Sequence, residues 1–158
     1  FFFAYSKFRM IKVNFVYEIH DYYVDAIINT LNFAYIQYTT NEGEDTYIEF
    51  LPNSEYNYCD CSISIKGKSS IFLTVSRIAH TFSSDPVNAG LIDMNIRWVE
   101  NATLTDVESW LSDGKFWLCP DFQQATAADV LLYHRLQKFD LCKYPCLYKY
   151  KNRIPLKY

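Results

Sequence analysis

Ile11-Lys12-Val13-Asn14-Phe15-Val16-Tyr17, followed at once by the segment Asp21-Tyr22-Tyr23-Val24-Asp25-Ala26-Ile27-Ile28-Asn29-Thr30-Leu31, decides the fold class. The first segment alternates, as a strand with one buried face does. In the second, Tyr23, Ile27 and Leu31 recur at helical spacing with Val24 and Ile28 beside them. Asp21 is placed to accept the first free amides of that helix. A strand that runs directly into a helix predicts a mixed α and β protein.

Downstream, Phe33 to Thr40 and Thr46 to Leu51 read as strands. The connection Asn41-Glu42-Gly43-Glu44-Asp45 has turn chemistry, so these two are expected to form a hairpin. Cys59, Cys61, Ile63 and Ile65 alternate with Tyr58, Asp60, Ser62 and Ser64, which predicts a strand with both cysteines on its buried face. A turn at Lys66-Gly67-Lys68-Ser69 would lead into a strand at Ile71 to Val75. Arg77 to Phe82 suits a short helix, and Ile92, Met94, Ile96 and Trp98 suit another strand. Thr105-Asp106-Val107-Glu108 resembles a helix-opening capping box, with Gly114 at the far end. Phe116 to Cys119 reads as a short strand before Pro120. Thr126 to Asp129 would open a last helix running to about Phe139.

The expectation is therefore an α+β fold: one domain over residues 1–158, a mostly antiparallel sheet, and three to four helices packed on it. The chain has 158 residues and begins with Phe, so residues 1–9 are expected to be a flexible or non-native extension, with Met10 a candidate start. Residues 140–158 lack a clean period and contain Pro145 and Pro155, which predicts a wrapping tail. Half the residues are hydrophobic and 18% aromatic, a globular composition with no span long enough to cross a bilayer. Five cysteines, an odd number, and no signal peptide predict a reducing, cytoplasmic setting.

Charge is unevenly distributed. No Lys or Arg lies between Lys12 and Lys66, whereas Glu18, Asp21, Asp25, Glu42, Glu44, Asp45, Glu49, Glu55 and Asp60 do, a net −9. From Arg135 onward seven bases face Asp140 alone, a net +6. Tyrosines interleave with the acids, and Tyr is a frequent interface anchor. The bland reading is a solvated acidic face neutralised by the basic C-terminal segment. The sharper reading is a non-enzymatic inhibitor or immunity-type protein that occludes a basic partner such as a toxin nuclease. Its contact residues would be Asp21, Tyr22, Asp25, Glu42, Glu44, Asp45 and Tyr47. Direct nucleic-acid binding is not favoured, and the oligomeric state is not legible.

Two alternatives belong to other classes. One is a small enzyme or ligand-binding domain with an aromatic-lined cavity, favoured by a large pocket holding His80 or His134 beside a carboxylate. The other is a structural subunit of a larger assembly. No catalytic residue, cofactor or metal ligand is assigned. Cys59 and Cys61 are too closely spaced to pair with Cys142 and Cys146 as a zinc site, and Cys119 is expected to be buried and inert. Lys66-Gly67-Lys68-Ser69 shares the ending of a phosphate loop but lacks its first glycine.

Overall fold

The computed structural model describes residues 10–119 and 124–154. The α+β class expected from the sequence is the class observed, with a four-stranded mixed sheet and, among the described residues, six helices rather than three or four. The residues group into two compact units that meet in sequence after Val75.

In the first unit, β1 (Lys12–Tyr17) leads into α1 (Tyr22–Phe33), then β2 (Gln37–Glu42), β3 (Tyr47–Phe50) and β4 (Ile63–Lys66). The sheet order is β2-β1-β3-β4. β1 pairs parallel to β2, with Val13 opposite Tyr38, and antiparallel to β3, with Phe15 opposite Ile48. β3 and β4 are antiparallel, so two of the three pairings are antiparallel, as the sequence implied. As an inner strand β1 is apolar through Val13, Phe15 and Val16, all buried. Asp21 does cap α1, accepting from the amides of Tyr23 and Val24 at 3.0 and 3.2 Å. The buried face of α1 carries Tyr23, Ala26, Ile27, Thr30 and Leu31, the spacing of one helical stripe.

Several local expectations are corrected here. β2 and β3 do not form a hairpin, because β1 lies between them and takes both as partners. Residues 71–75 are not a strand; they belong to α2 (Lys68–Ile78), in which Ile71, Phe72 and Val75 are buried at helical spacing. Gly67 (φ +85°) therefore turns a strand into a helix, not into a hairpin partner. Cys59 and Cys61 are exposed rather than core. They sit on a connection organised by buried Asn57, whose side-chain amide donates to the carbonyls of Phe50 and Cys61, both at 2.9 Å.

The second unit is helical. It continues with α3 (Pro86–Asn101), α4 (Leu104–Ser112), α5 (Ala127–Leu136) and α6 (Pro145–Arg153). The alternation at Ile92, Met94, Ile96 and Trp98 misled, since Ile92, Ile96 and Val99 are the buried residues, one stripe of α3, while Met94 is exposed. α4 opens two residues earlier than expected. Thr103 is its cap and Asp106 its reciprocal partner, with bonds of 3.1 and 3.0 Å. Gly114 (φ +79°) follows its end, as the sequence suggested. Phe116 to Cys119 form no strand. Instead of a wrapping tail, α6 begins at Pro145, which suits a helix's first turn. Its first amides are served by a neighbouring helix: Glu108 of α4 accepts from the Cys146 and Leu147 amides at 2.9 and 2.8 Å. The expectations for residues 1–9 and for the last four residues lie outside the described residues.

Asp129 organises this unit. It is fully buried, yet both oxygens are occupied. One accepts from the Leu118 amide at 3.0 Å and from the Tyr150 hydroxyl. The other accepts from the amide and hydroxyl of Thr126 at 2.9 and 3.3 Å. Burial pushes the carboxyl above its usual range, and these bonds oppose that rise. Burial, with Asp129 beside it, lifts the Tyr150 phenol well above its ordinary value, so the proton stays on Tyr150.

Three substitutions test this packing. A Cβ at position 43 would lie 2.6 Å from Val16 Cγ1, so Gly43→Ala is expected to cost about 1–3 kcal/mol by overpacking, measured by urea unfolding. Asp129→Ala, which strands four donors, is expected to cost about 3–5 kcal/mol, and Tyr150→Phe about 1–3 kcal/mol. Equal stability of Tyr150→Phe and the parent would show that the hydroxyl contributes nothing to the network.

Candidate functional site

In an open sheet with helical crossovers, ligands collect beyond the carboxyl ends of strands, where neighbouring strands connect in opposite directions. β1 is such a strand, since its chain leaves through α1 to β2 on one side while β3 lies on the other. At that edge Tyr17 ends β1, Thr46 precedes β3, and Lys66 ends β4. The Glu18 amide donates to the Thr46 hydroxyl at 3.1 Å, and the Gly67 amide to the Thr46 carbonyl at 3.1 Å, which fixes the floor of the shelf.

Two pairs of side chains with chemical capacity, His20 with Asp25 and Lys68 with Asp21, stand on this shelf. His20 Nε2 lies 2.6 Å from Asp25 Oδ1, with both side chains about half exposed. The Tyr17 ring meets the His20 ring edge-on at 5.4 Å. Lys68, the first residue of α2, is bound to Asp21 Oδ2 and lies 5.6 Å from the centre of the Tyr23 ring. A carboxylate against one ring nitrogen of a histidine fixes the orientation of the ring, and an imidazole so held can accept a proton from a neighbouring group. Lys68 offers a cation to an anionic group, in competition with Asp21.

The residues expected to contact a basic partner are placed as follows. Asp21 and Asp25 share one end of α1, as the helical spacing implied, and Tyr22 beside them is half-buried. Glu42 ends β2, Glu44 and Asp45 are exposed on the connection between β2 and β3, and Tyr47 opens β3, half-buried. Three of these five carboxylates are paired, whereas Glu42 and Glu44 are exposed and in no ion pair among the described residues. Asp21 is bound to Lys68, Asp25 to His20, and Asp45 lies 3.6 Å from Lys66. Lys66 and Lys68 close the acidic stretch in sequence, and the fold brings them back onto it. His20 and Lys68, which charge counting passed over, are the residues the structure adds. His20 sits five positions before Asp25, and that local pairing was the one available signal.

The second unit carries an open cleft of about 620 Å³, lined by Arg77, His80, Phe82 and Asp93 among others. His80 holds a left-handed backbone (φ +58°), and Arg77 stacks on Phe82 at 5.1 Å. A cavity with His80 and a carboxylate in its wall is the feature that favours a ligand-binding protein over an inhibitor. Among the described residues no three metal-ligating side chains converge, and no helix is long and apolar enough to cross a membrane.

No family model matches the sequence, and no curated protein matches it. Solved structures do. A possible glutathione S-transferase from Rhodopseudomonas palustris superposes with a TM-score of 0.70 at 12% identity, covering 92% of this chain and 96% of its own. A glutathione S-transferase from Xanthobacter autotrophicus Py2 gives 0.72 at 10% identity, covering 92% and 95%. The maleylacetoacetate isomerase of Anaeromyxobacter dehalogenans 2CP-1 gives 0.66 at 11% identity, covering 92% and 86%, and a further structure of that isomerase has GSH bound in its active site. These neighbours, with the paired state of Asp21, Asp25 and Asp45, overturn the inhibitor or immunity-protein reading. The chain has the thioredoxin-type fold of the glutathione transferases.

Proposed function

We propose that the chain is a glutathione-transferase-like enzyme that binds glutathione, or a similar acidic thiol peptide, on the shelf at the carboxyl edge of β1. The observation that carries this reading is the His20–Asp25 pair beside Tyr17, at the switch point of a fold shared with glutathione transferases. A thiol is a weak nucleophile until it loses its proton. His20, oriented by Asp25, accepts that proton, and the thiolate then bonds to an electrophilic carbon as a leaving group departs. Lys68 meets one of the peptide's carboxylates, which makes it a binding residue, whereas His20 is the proton acceptor.

The test is calorimetry with glutathione, alongside conjugation of glutathione to an activated aryl chloride. Saturable binding and conjugation above the buffer rate are expected. Lys68→Gln is expected to weaken binding about tenfold, the scale of one charge-assisted contact. Asp21→Asn, which keeps a good helix cap and releases Lys68, should bind at least as tightly as the parent. His20→Asn should lower the turnover rate about 10²-fold while leaving glutathione binding in place. No binding at millimolar glutathione would remove the proposal, as would a turnover rate unchanged in His20→Asn.

A further inference from the structure

Within the second unit, the end of α4 and the outer face of α6 enclose a cavity of about 220 Å³. Lys115, Lys149 and Arg153 line it, and no acidic residue does. Two of these cations are held in place. The Arg153 guanidinium lies 3.8 Å over the Phe116 ring and donates to the Phe116 carbonyl at 2.9 Å. Lys115 sits 3.8 Å over the Trp110 ring and 3.3 Å from Asp113, with only 20% of its side chain exposed. Lys149 has no acidic partner among the described residues.

Electrostatics makes this arrangement unfavourable when empty. Lys149 and Arg153 are one helical turn apart on α6, a spacing at which like charges repel. The nearby Glu108 accepts from the amides of Cys146 and Leu147 and does not line the cavity. A concave wall of one sign concentrates the field inside it. Gly114 also borders the cavity, and the space where its side chain would stand is open.

We propose that this cavity is a binding site for a compact polyanion, a phosphoryl group or a small polycarboxylate, held by Lys115, Lys149 and Arg153. The size fits: ligand pockets for larger organic molecules run from about 300 Å³ upward, and this one is smaller. Arg153 spends one N–H on Phe116, and the guanidinium has others in a planar fork that matches phosphate or carboxylate oxygens. No residue of the shelf lines this cavity, and the proposal does not depend on the glutathione reading.

Calorimetry of the whole chain with inorganic phosphate and, separately, with succinate tests it, at low and at high sodium chloride. At least one is expected to bind saturably, and more weakly in high salt. Phosphate alone would identify a phosphoryl ligand, and succinate alone a carboxylate. Because Arg153 also braces Phe116, Lys149→Gln carries the decision: it is expected to weaken binding about tenfold with an unchanged melting temperature. Lys12→Gln, at a lysine that does not line the cavity, should bind as the parent does. Failure of both anions to saturate would overturn the site, and so would equal binding by Lys149→Gln and the parent.

Discussion

The first unit depends on β1 having partners on both sides. A strand paired parallel to β2 needs a crossover long enough to return the chain to the same end, and α1 supplies it. Between its two partners β1 buries Val13, Phe15 and Val16, while Lys12 and Asn14, on the same face as Val16, stay accessible. The same constraint puts the carboxyl end of β1, the first turn of α1 and the first residue of α2 at one edge. The chemistry of that edge, with His20 against Asp25 and Lys68 against Asp21, is a by-product of the topology.

In the second unit the corresponding role falls to a carboxylate. A buried charge is costly unless every lone pair is used. Asp129 meets that condition by accepting from a helix cap, an irregular stretch and a distant helix at once. The three parts are thereby fixed in one arrangement, including the residues around Phe116 that help form the cationic cavity. Arg135 adds a similar tie by donating to the Val99 carbonyl, which joins α5 to α3.

What was legible in the sequence was local. β1, α1 with its Asp21 cap, Gly114 after α4 and the Thr126–Asp129 opening of α5 all carry their signals within a few residues. What was not legible came from elsewhere in the chain. The pairing of β2 with β1 instead of β3 is a long-range choice that the turn residues at 41–45 do not encode. Ile71 to Val75 looks like a strand because β-branched and aromatic residues dominate it, and burial on one helical face outweighed that preference. At Ile92 to Trp98 two periods coincide over a few residues, and only the extension to Val99 separates them. The acidic run counted correctly as charge and wrongly as field, because Lys66 and Lys68 lie far from Asp45 and Asp21 in sequence and next to them in space.

The carboxylate of Glu108 makes one helix depend on another. α6 begins at a proline and has no side-chain cap of its own, so its opening amides find acceptors on α4. A helix of nine residues is too short to persist alone in water. α6 is therefore a conditional element, whose first turn is completed by a neighbour rather than by its own sequence.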